Sequence, residues 1–271
     1  MGLRKDPRAP HPSHARGGAL HAGHAALALW LVLPLVPLVL WAAADRWTAP
    51  AVLPQAWGTA GLRDAVDAGA GAAFLRSTVL GLVVAALATP LGAMAGRALT
   101  AHRVPLGGAV LAVLLSPLVL PPFAVALGLD VLLLRLRVPS PVGVVLLLTV
   151  AALPYTTVLM RAAYAASDRG FEDEARTLGA TARQTVVHVQ LPLLAPALAG
   201  TAFLAFLVGW SDYVVTLLVG GGQLVTLPLL VASAAAATGN EAQVAVLSLS
   251  SVLPPLLLLV AVGLVGRRAR A

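Results

Sequence analysis

Glu172, Asp173 and Glu174 stand side by side in a chain of 271 residues that has only 11 Asp and Glu in all. They fall in the most charged stretch of the protein, residues 161–192, which reads RAAYAASDRGFEDEARTLGATARQTVVHVQLP. Acids in this position suit the first turn of a helix, where the macrodipole favours negative charge. Phe171, Ala175 and Leu178 recur at helical spacing and predict one apolar stripe. Gly179 fits the end of that helix, because glycine tolerates the left-handed conformation. Thr181 and Gln184, three residues apart, read as a capping box that starts a second short helix. Val186, Val187 and Val189 supply its apolar face, and Pro192 is expected to end the segment. The chemistry on offer is docking: a charged face and an apolar ridge on two short helices with a glycine elbow. A plain solvated loop is the alternative for such a charged run.

A second group is Trp210, Ser211, Asp212 and Tyr213 at the end of a long apolar run. An ionisable group at membrane depth usually faces a cavity, so these residues are candidates for a gate or substrate contact. The alternative is an interfacial aromatic anchor with a capping acid. Gly220-Gly221-Gly222-Gln223 reads as a turn with no basic partner for a phosphate. The histidines form no metal-ligand pattern: His11, His14, His21 and His24 lie in the N-terminal tail, and His102 and His188 are isolated. No metal site and no catalytic residue is expected. There is no cysteine, no His-Glu-x-x-His, no Gly-x-Ser-x-Gly and no phosphate-cradling glycine loop followed by Lys-Ser/Thr.

The elements that must hold these groups are membrane helices. The chain is 59% hydrophobic and 11% charged, where a soluble domain has about 25% charged residues. Too little charge to cover a globule in water argues against a cytosolic enzyme, and the apolar excess argues against disorder. Apolar runs predict six spans at about 20 residues each, near 25–44, 74–96, 104–127, 141–160, 193–219 and 242–265. Pro34 and Pro37 should kink the first. Pro117 and the Pro121-Pro122 pair should break the third into unwound backbone facing protein or a cavity, and Pro154 lies inside the fourth. With the N-terminus in the cytoplasm, only Arg46, Arg63, Arg76, Arg135 and Arg137 of the 18 basic residues fall outside. The positive-inside rule thus puts both termini and the 161–192 insert in the cytoplasm. The same asymmetry accounts for a pI near 11.2 without nucleic acid. The expected division is a flexible cytoplasmic tail (1–24), a first transmembrane helix (25–44), an extracytoplasmic loop (45–73), a core of five helices (74–266) and a cytoplasmic C-terminus (267–271). The fold class is all-α and polytopic.

The insert resembles the cytoplasmic loop of the inner-membrane permeases of binding-protein-dependent ABC importers. That family's pattern is Glu-Ala-Ala, three residues, Gly, nine residues, an aliphatic residue, one residue, then Leu-Pro. It is met here by Asp173-Glu174-Ala175, Gly179, Val189 and Leu191-Pro192. Asp173 stands where the pattern has Glu, and Glu174 where it has Ala. The resemblance runs from about residue 74 to the C-terminus. It implies a bacterial inner-membrane, multi-pass importer subunit whose loop is a coupling helix seated on a cytoplasmic ABC ATPase dimer. The permease would bind no cofactor itself, and ATP and Mg would be used by the ATPase. The other implied partners are a second permease (homologue or copy), an extracytoplasmic substrate-binding protein and membrane lipid. Residues 210–229 are similar to the polyamine, ferric-iron and thiamine branch, and for a cationic substrate Asp212 would be the electrostatic partner. An ion-coupled secondary transporter is the alternative. It would need coupling residues inside the bilayer and usually shows paired repeats, and no repeat is seen.

Overall fold

The computed structural model describes residue 23 and residues 26–27, 29–30, 32–101, 104–168 and 170–268. The helices are α1 (Leu35–Ala42), α2 (Ala60–Asp67), α3 (Ala70–Thr100), α4 (Gly107–Val119), α5 (Pro122–Arg135), α6 (Ser140–Ala166), α7 (Gly170–Thr177), α8 (Ala182–Thr185), α9 (Leu191–Trp210), α10 (Val214–Leu218), α11 (Leu227–Ala235) and α12 (Glu241–Arg268). A π turn, Val186–Gln190, joins α8 to α9. Two short strands, β1 (Ala44–Arg46) and β2 (Ala56–Trp57), pair antiparallel in the loop between α1 and α2. The helical, polytopic class expected from the sequence is what the structure has, apart from this one small hairpin.

Among the described residues, four helices are long and apolar enough to cross a membrane: α3, α6, the continuous run 182–210, and α12. A fifth span exists if α4 and α5 count as one, but they are bent by 104°. The single span expected at 104–127 is therefore a broken pair. Leu120 and Pro121 are extended, with ψ of 138° and 125°. A proline disfavours helix in the residue before it, so Pro121-Pro122 sets the break. Pro117, also expected to break the span, sits inside α4 without doing so. The first expected span, 25–44, lies partly outside the described residues, as does the whole tail apart from residue 23. Its described end is α1, which packs on α12. The fifth expected span, 193–219, stops at Trp210 and resumes after a gap as α10.

The core is the junction of α3, α6 and α9. Val84 and Ala88 of α3, Val144 and Ala152 of α6 and Ala205 of α9 are fully buried. Small residues let the helices approach, as membrane helix interfaces require. A Cβ placed on Gly209 would lie 2.8 Å from the Cα of Gly81, backbone against backbone. Gly209→Val should therefore destabilise the fold by about 1–3 kcal/mol, the usual overpacking cost. A lowered thermal midpoint of the detergent-solubilised chain would show it; an unchanged midpoint would mean the α3–α9 crossing is loose.

Candidate coupling site and translocation cavity

Within 161–192 the chain leaves α6, forms the short helix α7 and turns through an elbow into α8, the first turn of a helical run that reaches residue 210. Helix α7 carries Glu172 and Asp173 in its first turn and Arg176 in its last, matching the helix dipole at both ends. It ends in a Schellman motif: Gly179 N–H donates to Arg176 O (3.0 Å) and Ala180 N–H donates to Ala175 O (3.0 Å). Gly179 itself has φ +86°. The capping box is closed in both directions. Thr181 Oγ1 accepts from Gln184 N–H at 3.3 Å, and Gln184 Oε1 accepts from Thr181 N–H at 2.8 Å. Helix α7 packs against α8 and the π turn, so the two ends of the spaced motif are brought together.

The apolar stripe is only partly covered. Ala175 is half-buried, but Phe171 is 53% exposed and Leu178 is 83% exposed. Asp173 and Glu174 are exposed beside them, Asp173 within 3.7 Å of Arg176. Val189 is half-buried, and Leu191 and Pro192 are exposed.

Pro192 does not end the segment as expected. The chain stays helical from 182 to 210. Proline has no N–H to give to the residue four back. The π turn accommodates it: Leu191 N–H donates five residues back to Val186 O, so Pro192 enters in the first turn of α9. The apolar face expected of a second helix, Val186, Val187 and Val189, thus lies in the π turn.

A polar cluster that the sequence did not point to holds the insert in place. Arg97, near the end of α3, donates Nη1 to Gln190 Oε1 (2.7 Å) and Nη2 to Glu172 Oε2 (3.3 Å). Arg176 adds a second contact to Glu172 at 3.8 Å. A cavity of about 480 Å³ beside them is lined by Arg97, Tyr164, Glu172, Asp173 and Arg176 among others. Partners 75 and 93 residues apart leave no local pattern. The available signal was that Arg97 ends a span on the same side as the insert.

At the other end of α9, Trp210 is buried, with 3% exposure. Its indole N–H donates to Ser251 O of α12 (3.0 Å), and its ring stacks with Phe206 and meets Phe74 edge-on. Trp210 therefore ties α9 to α12, and its ring contacts are with the core. Ser211 and Tyr213 are exposed. With Trp210 and Phe203 they line an apolar cavity of about 630 Å³ between α9, α11 and α12. Asp212 is not among its lining residues. Its Oδ1 accepts from Val215 N–H (3.3 Å), and its Oδ2 accepts from Thr216 N–H (2.8 Å) and Thr216 Oγ1 (2.8 Å). Both carboxylate oxygens are used in capping α10. Residues 220–223 form the expected turn, with Gln223 N–H on Gly220 O (2.9 Å) and positive φ at Gly221 and Gly222. His188 is exposed, its ring Nδ1 3.2 Å from Gln184 O, and His102 lies outside the described residues. An acid the sequence reading passed over, Asp130, lies half-buried in α5.

Residues 88–271 match the family described as binding-protein-dependent transport system inner membrane component. The chain belongs to that family. The permease is 30% identical over 146 residues to a protein of Streptomyces antibioticus described as ABC transporter permease protein ORF1. That match takes in 52% of this chain and 62% of the relative's length. It is 27% identical over 215 residues to the diacetylchitobiose uptake system permease protein NgcG of Streptomyces coelicolor, covering 76% of this chain and 70% of that one. The permease fold is also that of a solved bacterial ABC transporter involved in the import of the acidic polysaccharide alginate. There the TM-score is 0.66 at 17% identity, over 95% of this chain and 99% of that one. Neither curated relative's name speaks of polyamine, iron or thiamine.

Proposed function

We propose that the permease is the membrane subunit of an ATP-driven importer that takes its driving motion from a separate cytoplasmic ATPase through residues 161–192. The observation that supports this most is the insert itself. Its elbow and caps are fully formed, yet it leaves Phe171 and Leu178 open beside Asp173 and Glu174. A large apolar residue held on a charged, capped helix fits a groove in a partner protein better than water. In this reading Asp173, Glu174, Ala175, Gly179, Val189, Leu191 and Pro192 form the ATPase-coupling element. Both termini lie on the ATPase side of the inner membrane. A second permease completes the path, a binding protein delivers substrate, and ATP with Mg is used only in the ATPase. The two permease arrangements are a two-state element whose balance the nucleotide biases.

For the substrate, we favour a small neutral sugar over a cation. Asp212, the residue a polyamine would need, spends both oxygens on α10. The nearby cavity is walled instead by Phe203, Trp210 and Tyr213, and its apolar lining offers a cation no charged partner. The name of the Streptomyces coelicolor relative points the same way. The permease, copurified with its ATPase and binding protein and placed in vesicles, should take up diacetylchitobiose on ATP addition and leave spermidine outside. Spermidine uptake would reverse the substrate assignment. Uptake by the permease alone on an ion gradient would sink the importer reading.

A further inference from the structure

Covalent connection carries motion of the insert only to its two neighbours in the chain, α6 and α9. Helix α3, the third member of the core, has no such link, being separated from α7 by α4, α5 and α6. Arg97 supplies one. Its guanidinium reaches Glu172 in the first turn of α7 and Gln190 at the end of the π turn at once. It thereby joins a core span, the coupling helix and the entry to α9 at one point. The planar fork of arginine suits two acceptors in fixed directions, which a lysine ammonium does not reproduce.

Two further features fit a site kept for position. Gln190 is buried, with 4% exposure, and its Nε2 has no partner among the described residues. The amide oxygen is turned to Arg97 although the amide nitrogen then goes unpaired, an unfavourable state for a buried polar group. The π turn adds one residue to the helical circuit, which shifts side-chain direction by about 100° relative to an unbroken α-helix. Gln190 is the last residue of that turn.

From this arrangement we propose that Arg97 is a positioning residue for coupling: it transmits displacement of α7 to α3. This rests on the reading of 161–192 as the ATPase-coupling element. In the vesicle-reconstituted complex, Arg97→Ala should raise the ATP hydrolysed per substrate imported by about tenfold, a loss in the range of a charge-assisted pair. Arg97→Lys should recover only part of the coupling. The exchange Arg97→Glu with Glu172→Arg should recover more than either single change, since Gln190 Nε2 can donate to the new carboxylate. The chain has no cysteine, so spin labels at Met94→Cys and Thr177→Cys, both exposed positions and neither in the proposed ATPase contact, report the α3–α7 distance. That distance should be narrow with Arg97 and broad with Arg97→Ala.

An unchanged ATP-to-substrate ratio with an unchanged distance distribution overturns the proposal. If Arg97→Ala does not assemble, Arg97→Lys decides it, and a normal ratio there overturns it equally. Gly179→Pro separates the two levels. If it uncouples while Arg97→Ala does not, only the role of Arg97 falls. If neither uncouples, the coupling reading falls with it.

Discussion

Gly179→Pro will stop ATP-driven uptake while the assembled complex continues to hydrolyse ATP. Gly179 has φ +86° at the elbow between α7 and α8, and proline is locked near −65°. The substitution also removes the N–H that donates to Arg176 O, so the Schellman closure of α7 is lost. Even Gly179→Ala should cost about 1–2 kcal/mol, the penalty for an L-residue in the left-handed region. Nothing within 4 Å would meet a Cβ there, so the cost is conformational and not a clash. The residue lies away from the α3–α6–α9 core, so the spans should assemble normally. The measurement is substrate uptake and phosphate release on the same vesicles, with Gly179→Ala intermediate. Deletion of 171–190 should give the same split. Uptake that survived the deletion would show that the motion enters elsewhere.

How much of this could be read from the sequence depends on how local each cause is. The elbow, the capping box and the acid-led start of α7 were legible because each is fixed by residues within about one helical turn of one another. The break at Pro121-Pro122 was legible for the same reason. The end of α9 was not. Hydropathy continues through 211–219, and only the bonds from Asp212 to Val215 and Thr216 show that a new helix begins there. Pro192 misled because a proline reads as a boundary unless a π turn absorbs it, and residues 186–190 have nothing in their types that marks one. Trp210 also reads as an interfacial anchor by type and position. Its burial follows from Ser251, Phe74 and Phe206, none adjacent to it in the chain. Arg97 carries the same lesson for the candidate site. Its neighbours are set by the packing of α3 against α6 and α9, which sequence patterning does not encode.

Asp212 gives the second large effect, and its variants separate cap from substrate partner. Asp212→Ala should destabilise the permease by about 1–3 kcal/mol, because two backbone N–H groups and a buried hydroxyl lose their acceptor. Val215 and Thr216 are both buried, so water does not readily replace the carboxylate. Asp212→Ser and Asp212→Asn are the informative changes. Both remove the charge, and both keep an oxygen that can accept from the first turn of α10. If the residue works as a cap, these two variants keep most of the thermal stability and most of the uptake, while Asp212→Ala loses both together. If the carboxylate instead held a cationic substrate, Asp212→Asn would abolish uptake with its melting temperature unchanged. The geometry favours the first outcome, since three donors from α10 converge on the two oxygens. A fully stable, inactive Asp212→Asn would return the acid to the translocation path and the substrate to the cations.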